Sequence, residues 1–126
     1  MPDHQEDARQ QGCKGCTSEI WRLDGDTIVS LTGTLDSHHV AEVHEVLVGL
    51  CEQKPSRLIV NLSAVDYMDS SGIGTLVEVL RRTKAYNGTL VLCGLNEGVR
   101  DVFEMTRLDK VFRICSTEDE ARHLPV

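Results

Sequence analysis

The sequence predicts an α/β fold: a mixed β-sheet that opens with an antiparallel hairpin, continues mostly parallel, and packs against about four helices. Three observations predict it. Short apolar runs rich in branched residues, such as Leu58-Ile59-Val60 and Leu90-Val91-Leu92, alternate with segments whose apolar residues recur at helical spacing. One Asp24-Gly25 step between two strand-like runs reads as the two-residue turn of a hairpin. The 126 residues, 40% hydrophobic and 26% charged, match one ordinary globular domain that can bury a core without staples. Strands that alternate with helices must return to the same end of the sheet, which makes the later strands parallel.

Each element has its own signal. Residues 1–17 are polar and charged and are expected to form a flexible leader, with the domain spanning 18–126. Ile20 to Leu23 and Thr27 to Leu31 make the hairpin, and Gly33 is expected to end the reach of its second strand. Asp36 or Ser37 should cap a first helix whose apolar face is Val40, Val43, Val46, Leu47 and Leu50, with Pro55 closing the segment. Arg57 to Leu62 reads as a buried strand. Ile73, Leu76, Val77 and Leu80 place a second helix over about 70–86, with Asp69 as its N-cap. Asn87-Gly88 turns the chain into the strand Thr89 to Cys93. Asn96 can cap a third helix with Val99, Val102 and Phe103 facing inward. Val111 to Ile114 reads as the last strand, and Thr117 with Glu120 starts a short terminal helix that reaches His123.

Composition excludes several functions. A net charge of −7 without a lysine or arginine stripe argues against nucleic acid and anionic membrane as partners. Aromatic content of 4% leaves no platform for stacking bases. No apolar run suits a signal peptide or a membrane span, so a cytoplasmic location with reduced cysteines is expected. Cys51, Cys93 and Cys115 sit among apolar neighbours and read as small core residues. Cys13 and Cys16 form a Cys-x-x-Cys, half of a zinc or redox motif, without a second ligand pair at a usable spacing. His38-His39 reads as a solvated pair at a helix start.

The most informative run is Asp69-Ser70-Ser71-Gly72-Ile73-Gly74. It places two hydroxyls in the first turn of a helix, beside unpaired N–H groups and the positive end of the dipole. A phosphate is well tolerated there. Nothing nearby is placed to activate a serine as a nucleophile and no cofactor signature exists, so the hydroxyls read as substrates for another enzyme, not as catalysts. The same run also reads as an ordinary capped helix start, with Gly72 and Gly74 permitting close helix–strand packing.

Three blocks together resemble the STAS domain family. Leu31-Thr32-Gly33-Thr34-Leu35-Asp36 is similar to its first block, and Val60 through Gly74 resembles its central one. Leu90-Val91-Leu92-Cys93-Gly94, followed by Val99-Arg100-Asp101-Val102-Phe103 and Thr106-Arg107-Leu108, is similar to its third. The resemblance runs from about residue 19 to 116. It implies a STAS-like fold and, for a short single-domain member, the role of an anti-sigma factor antagonist. Such a protein, when unphosphorylated, binds a serine-kinase anti-sigma factor and frees the sigma factor; phosphorylation inactivates it and a serine phosphatase restores it. The resemblance maps the phosphoacceptor to Ser70 and the partner-facing surface to Asp36, Asp69, Ser70, Ser71, Gly72, Ile73 and Gly74. Two alternatives stay open. One is a STAS module in a stress-signalling scaffold or a lipid or anion transport system. The other is a redox or metal protein that uses Cys13 and Cys16.

Overall fold

The computed structural model describes residues 9–12, 16–23 and 25–124. Its strands are β1 (Arg9–Gly12), β2 (Cys16–Leu23), β3 (Asp26–Leu35), β4 (Arg57–Met68), β5 (Thr89–Cys93) and β6 (Arg113–Cys115). They form one sheet in chain order, β1-β2-β3-β4-β5-β6. The first two pairings are antiparallel and the remaining three parallel, as the alternation of elements requires. The helices are α1 (Val40–Glu52), α2 (Ser70–Ala85), α3 (Glu97–Met105) and α4 (Glu118–Arg122).

The hairpin closes where Asp24-Gly25 predicts: Leu23 pairs with Asp26, and Gly25 takes a φ of +87°. The core lies mainly between the sheet and α1 to α3. Leu31, Leu58, Val60, Leu62 and Leu92 from the strands meet Leu47, Leu76, Val79 and Phe103 from the helices, all fully buried. On the opposite face a smaller cluster of Ile28, Ile59, Val91, Cys93 and Cys115 is covered by Ala121 of α4. Cys51, Cys93 and Cys115 are buried free thiols, as their apolar neighbours predict. No helix among the described residues is long and apolar enough to cross a membrane.

Several boundaries differ from the sequence reading. Arg9–Gly12, within the expected leader, is an outer strand paired to β2, and β2 itself begins at Cys16. The rest of the leader expectation, residues 1–8 and 13–15 with Cys13 among them, lies outside the described residues. Gly33 does not end its strand. It sits at φ +112° beside a shift in register, and β3 continues to Leu35. Helix α1 starts at Val40, because Asp36 bonds the N–H groups of His38 and His39 and closes a turn ahead of the helix. The last strand begins two residues later than Val111, after a 3-10 turn at Leu108–Lys110.

The strand predicted over 57–62 runs on to Met68. Its pairing to β5 stops at Asn61, while its pairing to β3 continues to Leu35↔Met68. Past Asn61, β4 therefore forms a ribbon with β3 alone, while β2 follows the other edge of β3 as far as Cys16↔Gly33, and α2 begins at the tip of this ribbon.

Candidate functional site

Two extra residues in β4 shape the ribbon. Ser30 pairs with Asn61 but Thr32 with Ala64; Gly33 pairs with Val65 but Thr34 with Tyr67. Each bulge bends the strand and breaks its two-residue alternation. Where β5 has ended, side chains supply the missing bonds. Ser63 N–H donates to Asn61 Oδ1 at 2.9 Å, and Asn96 Nδ2 donates to the Val65 carbonyl at 2.9 Å. The same Asn96 caps α3 by accepting from Val99 N–H at 2.8 Å, which ties that helix to the ribbon.

At the tip, Asp69 is the N-cap of α2, as predicted: its Oδ1 accepts from Ser71 N–H at 2.8 Å. Its own N–H donates to the Leu35 carbonyl at 3.2 Å, bringing the start of α2 against the end of β3. Ser70 is exposed as the first helical residue, Ser71 is half-buried, and Ile73 anchors the turn in the core. Of the four N–H groups that lack an intrahelical acceptor, those of Asp69 and Ser71 are thus used. Those of Ser70 and Gly72 point along the helix start and carry its positive partial charge.

The two glycines differ. A Cβ on Gly72 would lie 2.7 Å from Met68 Cγ and 3.0 Å from the Leu35 carbonyl oxygen, so only glycine lets α2 lie this close to β3. A Cβ on Gly74 would meet nothing within 4 Å, and the residue is exposed. The expectation that Gly74 permits close packing is corrected: it faces outward, away from the Gly72, Leu76 and Val79 stripe.

Asp36 follows Leu35 directly and so reaches the same tip. Its Oδ1 accepts from the N–H groups of His38 and His39 at 3.0 and 3.1 Å and lies 2.7 Å from His39 Nδ1. Partial burial would raise its pKa, but the bond from the His39 ring and those from the two backbone N–H groups outweigh it and hold the carboxyl below its ordinary value. Beside it Thr34 Oγ1 donates to Asp66 Oδ1 at 3.3 Å. The ends of β3 and β4 thus carry Asp36, Asp66 and Asp69 together with the exposed Ser70.

The sequence reading missed Tyr67, which is 54% exposed and stands at the tip two residues before Asp69. Strict alternation would set it on the same face as buried Val65; the bulge at Asp66 turns it outward instead. Its position between two aspartates was the available signal. Among the described residues no group of three or more His, Cys, Asp or Glu side chains is arranged to hold a metal ion. Burial, with Glu118 and Cys115 nearby, pushes the Cys93 thiol up to about 12, which keeps it protonated in the core.

Residues 18–121 match the family described as the STAS domain. The chain belongs to that family. The anti-sigma-B factor antagonist of Staphylococcus epidermidis is 33% identical over 86 residues, which are 68% of this chain and 80% of that protein. An anti-sigma factor antagonist from Mycobacterium paratuberculosis has the same fold, with a TM-score of 0.79 at 24% identity over 85% of this chain and 91% of that one. SpoIIAA of Bacillus is 25% identical in both of its solved forms. The unphosphorylated form has a TM-score of 0.72 and covers 86% of this chain and 99% of that one; the phosphorylated form has 0.66, 83% and 96%. The STAS fold is therefore assembled here as a mixed sheet with four helices, as its three sequence blocks imply.

Proposed function

We propose that this chain is an anti-sigma factor antagonist: a protein-binding regulator, not a catalyst, acting in the cytoplasm. Unphosphorylated, it binds a serine-kinase anti-sigma factor through the tip of the β3–β4 ribbon and so releases a sigma factor. The kinase inactivates it by phosphorylating Ser70, and a serine phosphatase reverses the step. The observation that carries this reading is the placement of Ser70, an exposed hydroxyl on a capped helix start, backed by the Asp36 loop. Relatives named as anti-sigma factor antagonists, and a structural neighbour solved with and without phosphate, support it.

The physics of the switch is local. A phosphate adds ~1.5–2 negative charges and three acceptor oxygens. The N–H groups at the start of α2 and the helix dipole tolerate that charge, so the fold is kept. In the complex the same phosphate fills the contact and must be desolvated. A badly placed interfacial charge costs ~2–5 kcal/mol, against about 8 kcal/mol for a micromolar complex. Asp36, Asp69, Ser71, Gly72, Ile73 and Gly74 complete the partner-facing surface, with Gly72 and Ile73 acting through the shape they give it.

The test is a titration of the purified chain against each serine-kinase anti-sigma factor of its source genome, before and after treatment with Mg-ATP. The unphosphorylated chain and Ser70→Ala are expected to bind one kinase and release its sigma factor, and Ser70→Ala is expected to stay bound after ATP. Phosphopeptide mapping that places the phosphate on Ser71, with Ser70 untouched, would overturn the assignment.

A further inference from the structure

β3 and β4 end alike. Each closes on a buried apolar residue, Leu35 or Met68, and these two are register partners. Each then passes into an aspartate and a serine, Asp36-Ser37 and Asp69-Ser70. Each aspartate turns Oδ1 onto the N–H groups that follow: His38 and His39 at 3.0 and 3.1 Å in one case, Ser71 at 2.8 Å in the other. Each serine is exposed. Paired strands lie about 4.8 Å apart. The Asp69 N–H bond to the Leu35 carbonyl, 3.2 Å long, carries that contact past the last pair of the ladder. The two hydroxyls therefore leave the sheet from neighbouring strand ends, on one rim.

We propose that Ser37 is a second phosphoacceptor on this surface. The inference rests on the reading of Ser70 as a kinase target. An enzyme that brings the γ-phosphoryl group of a nucleoside triphosphate to Ser70 finds, at the next strand end, a second serine presented by the same capped step. In the transfer a bond forms between Ser37 Oγ and the γ-phosphorus. The bond from that phosphorus to the β–γ bridging oxygen breaks, and the nucleoside diphosphate leaves with the electron pair. The hydroxyl proton passes to the kinase's base.

The surroundings of the two serines differ in one respect. Ser70 opens a long helix, whereas Ser37 lies in the turn before α1, followed by exposed His38 and by His39 held on Asp36. A phosphate on Ser37 stands on the partner-facing rim without occupying the start of α2. Ser70 remains the hydroxyl that decides binding, and a Ser37 phosphate adds charge to the same rim without releasing the kinase on its own.

The experiment labels four full-length chains, the parent, Ser70→Ala, Ser37→Ala and the double variant, with γ-labelled ATP and each serine kinase of the source genome. Sites are mapped by phosphopeptide analysis, and thermal melts verify that the variants fold. Label on both serines of the parent, retained on Ser37 in Ser70→Ala and lost in the double variant, is the expected result. If Ser37→Ala melts early, Ser37→Thr keeps a hydroxyl and should yield phosphothreonine at the same place. Label on Ser70 alone, with none on Ser70→Ala, overturns this proposal and leaves the reading of Ser70 standing. Label on Ser37 alone overturns the reading of Ser70 and with it the placing of Ser37 as a second site. A parent chain that takes no label overturns both.

Discussion

Over residues 57–61, β4 has ladder partners on both sides, and Leu58, Ile59 and Val60 are fully buried. Beyond Asn61 it keeps only β3, and Ser63, Ala64, Asp66 and Tyr67 are exposed. The first stretch is held by apolar burial, at ~25 cal/mol for each Å² removed from water. The second still buries Leu62, Val65 and Met68, but its exposed side is shaped by a few directed bonds, from Asn61, Asn96, Thr34 and Asp69, which contribute little net stability. One strand thus separates two tasks. Changes in the body should move stability and spare binding, and changes at the tip should do the reverse.

The largest expected effect is on stability in the body. Phe103 is fully buried and meets Phe112 edge to face, with ring centroids 5.5 Å apart. Phe103→Ala should cost ~3–5 kcal/mol, seen as a lowered melting temperature, while the molecules still folded bind the kinase as before. Weakened binding in the folded fraction would break the separation. Gly72 is where the two regions join, since its missing Cβ lets α2 rest on Met68 and Leu35. Gly72→Val should therefore lower both readouts, with ~1–3 kcal/mol lost in a denaturant titration through overpacking. Gly74, two residues on, has open space around it. Gly74→Ala should raise stability by ~0.4–1 kcal/mol by restricting the unfolded chain. A melt lower than the parent's would show that Gly74 has a role in packing after all.

What the sequence made legible was local. The hairpin closed by Leu23 and Asp26 and the caps Asp69, Asn96 and Thr117 are each set within three residues, and all four stand where the residue pattern puts them. That the end of β3, with Asp36 after it, meets the start of α2 came from resemblance, because no local signal connects residues more than thirty positions apart. β1 was invisible, since Arg-Gln-Gln-Gly has no apolar period and is held as a strand only by its pairing to β2. The ribbon was cut short at Leu62 because bulges erase the alternation that marks a strand. The difference between the glycines was readable. Gly72 lies four residues before Leu76 and seven before Val79, on the inward stripe, and Gly74 does not.

The central claim is that a phosphate on Ser70 acts at the interface and not on the fold. It is tested most directly by melting and titrating one preparation in two states, with phosphate on Ser70 and without. The account predicts near-equal melting temperatures and loss of kinase binding in the phosphorylated state. Ser70→Glu should follow the same pattern more weakly, since a carboxylate near a helix N-terminus is favourable by ~0.3–1 kcal/mol. A phosphorylated chain that melts with the parent and binds the kinase equally well would contradict the switch. One that unfolds would show the phosphate acting through stability, contrary to the tolerance argued for the start of α2.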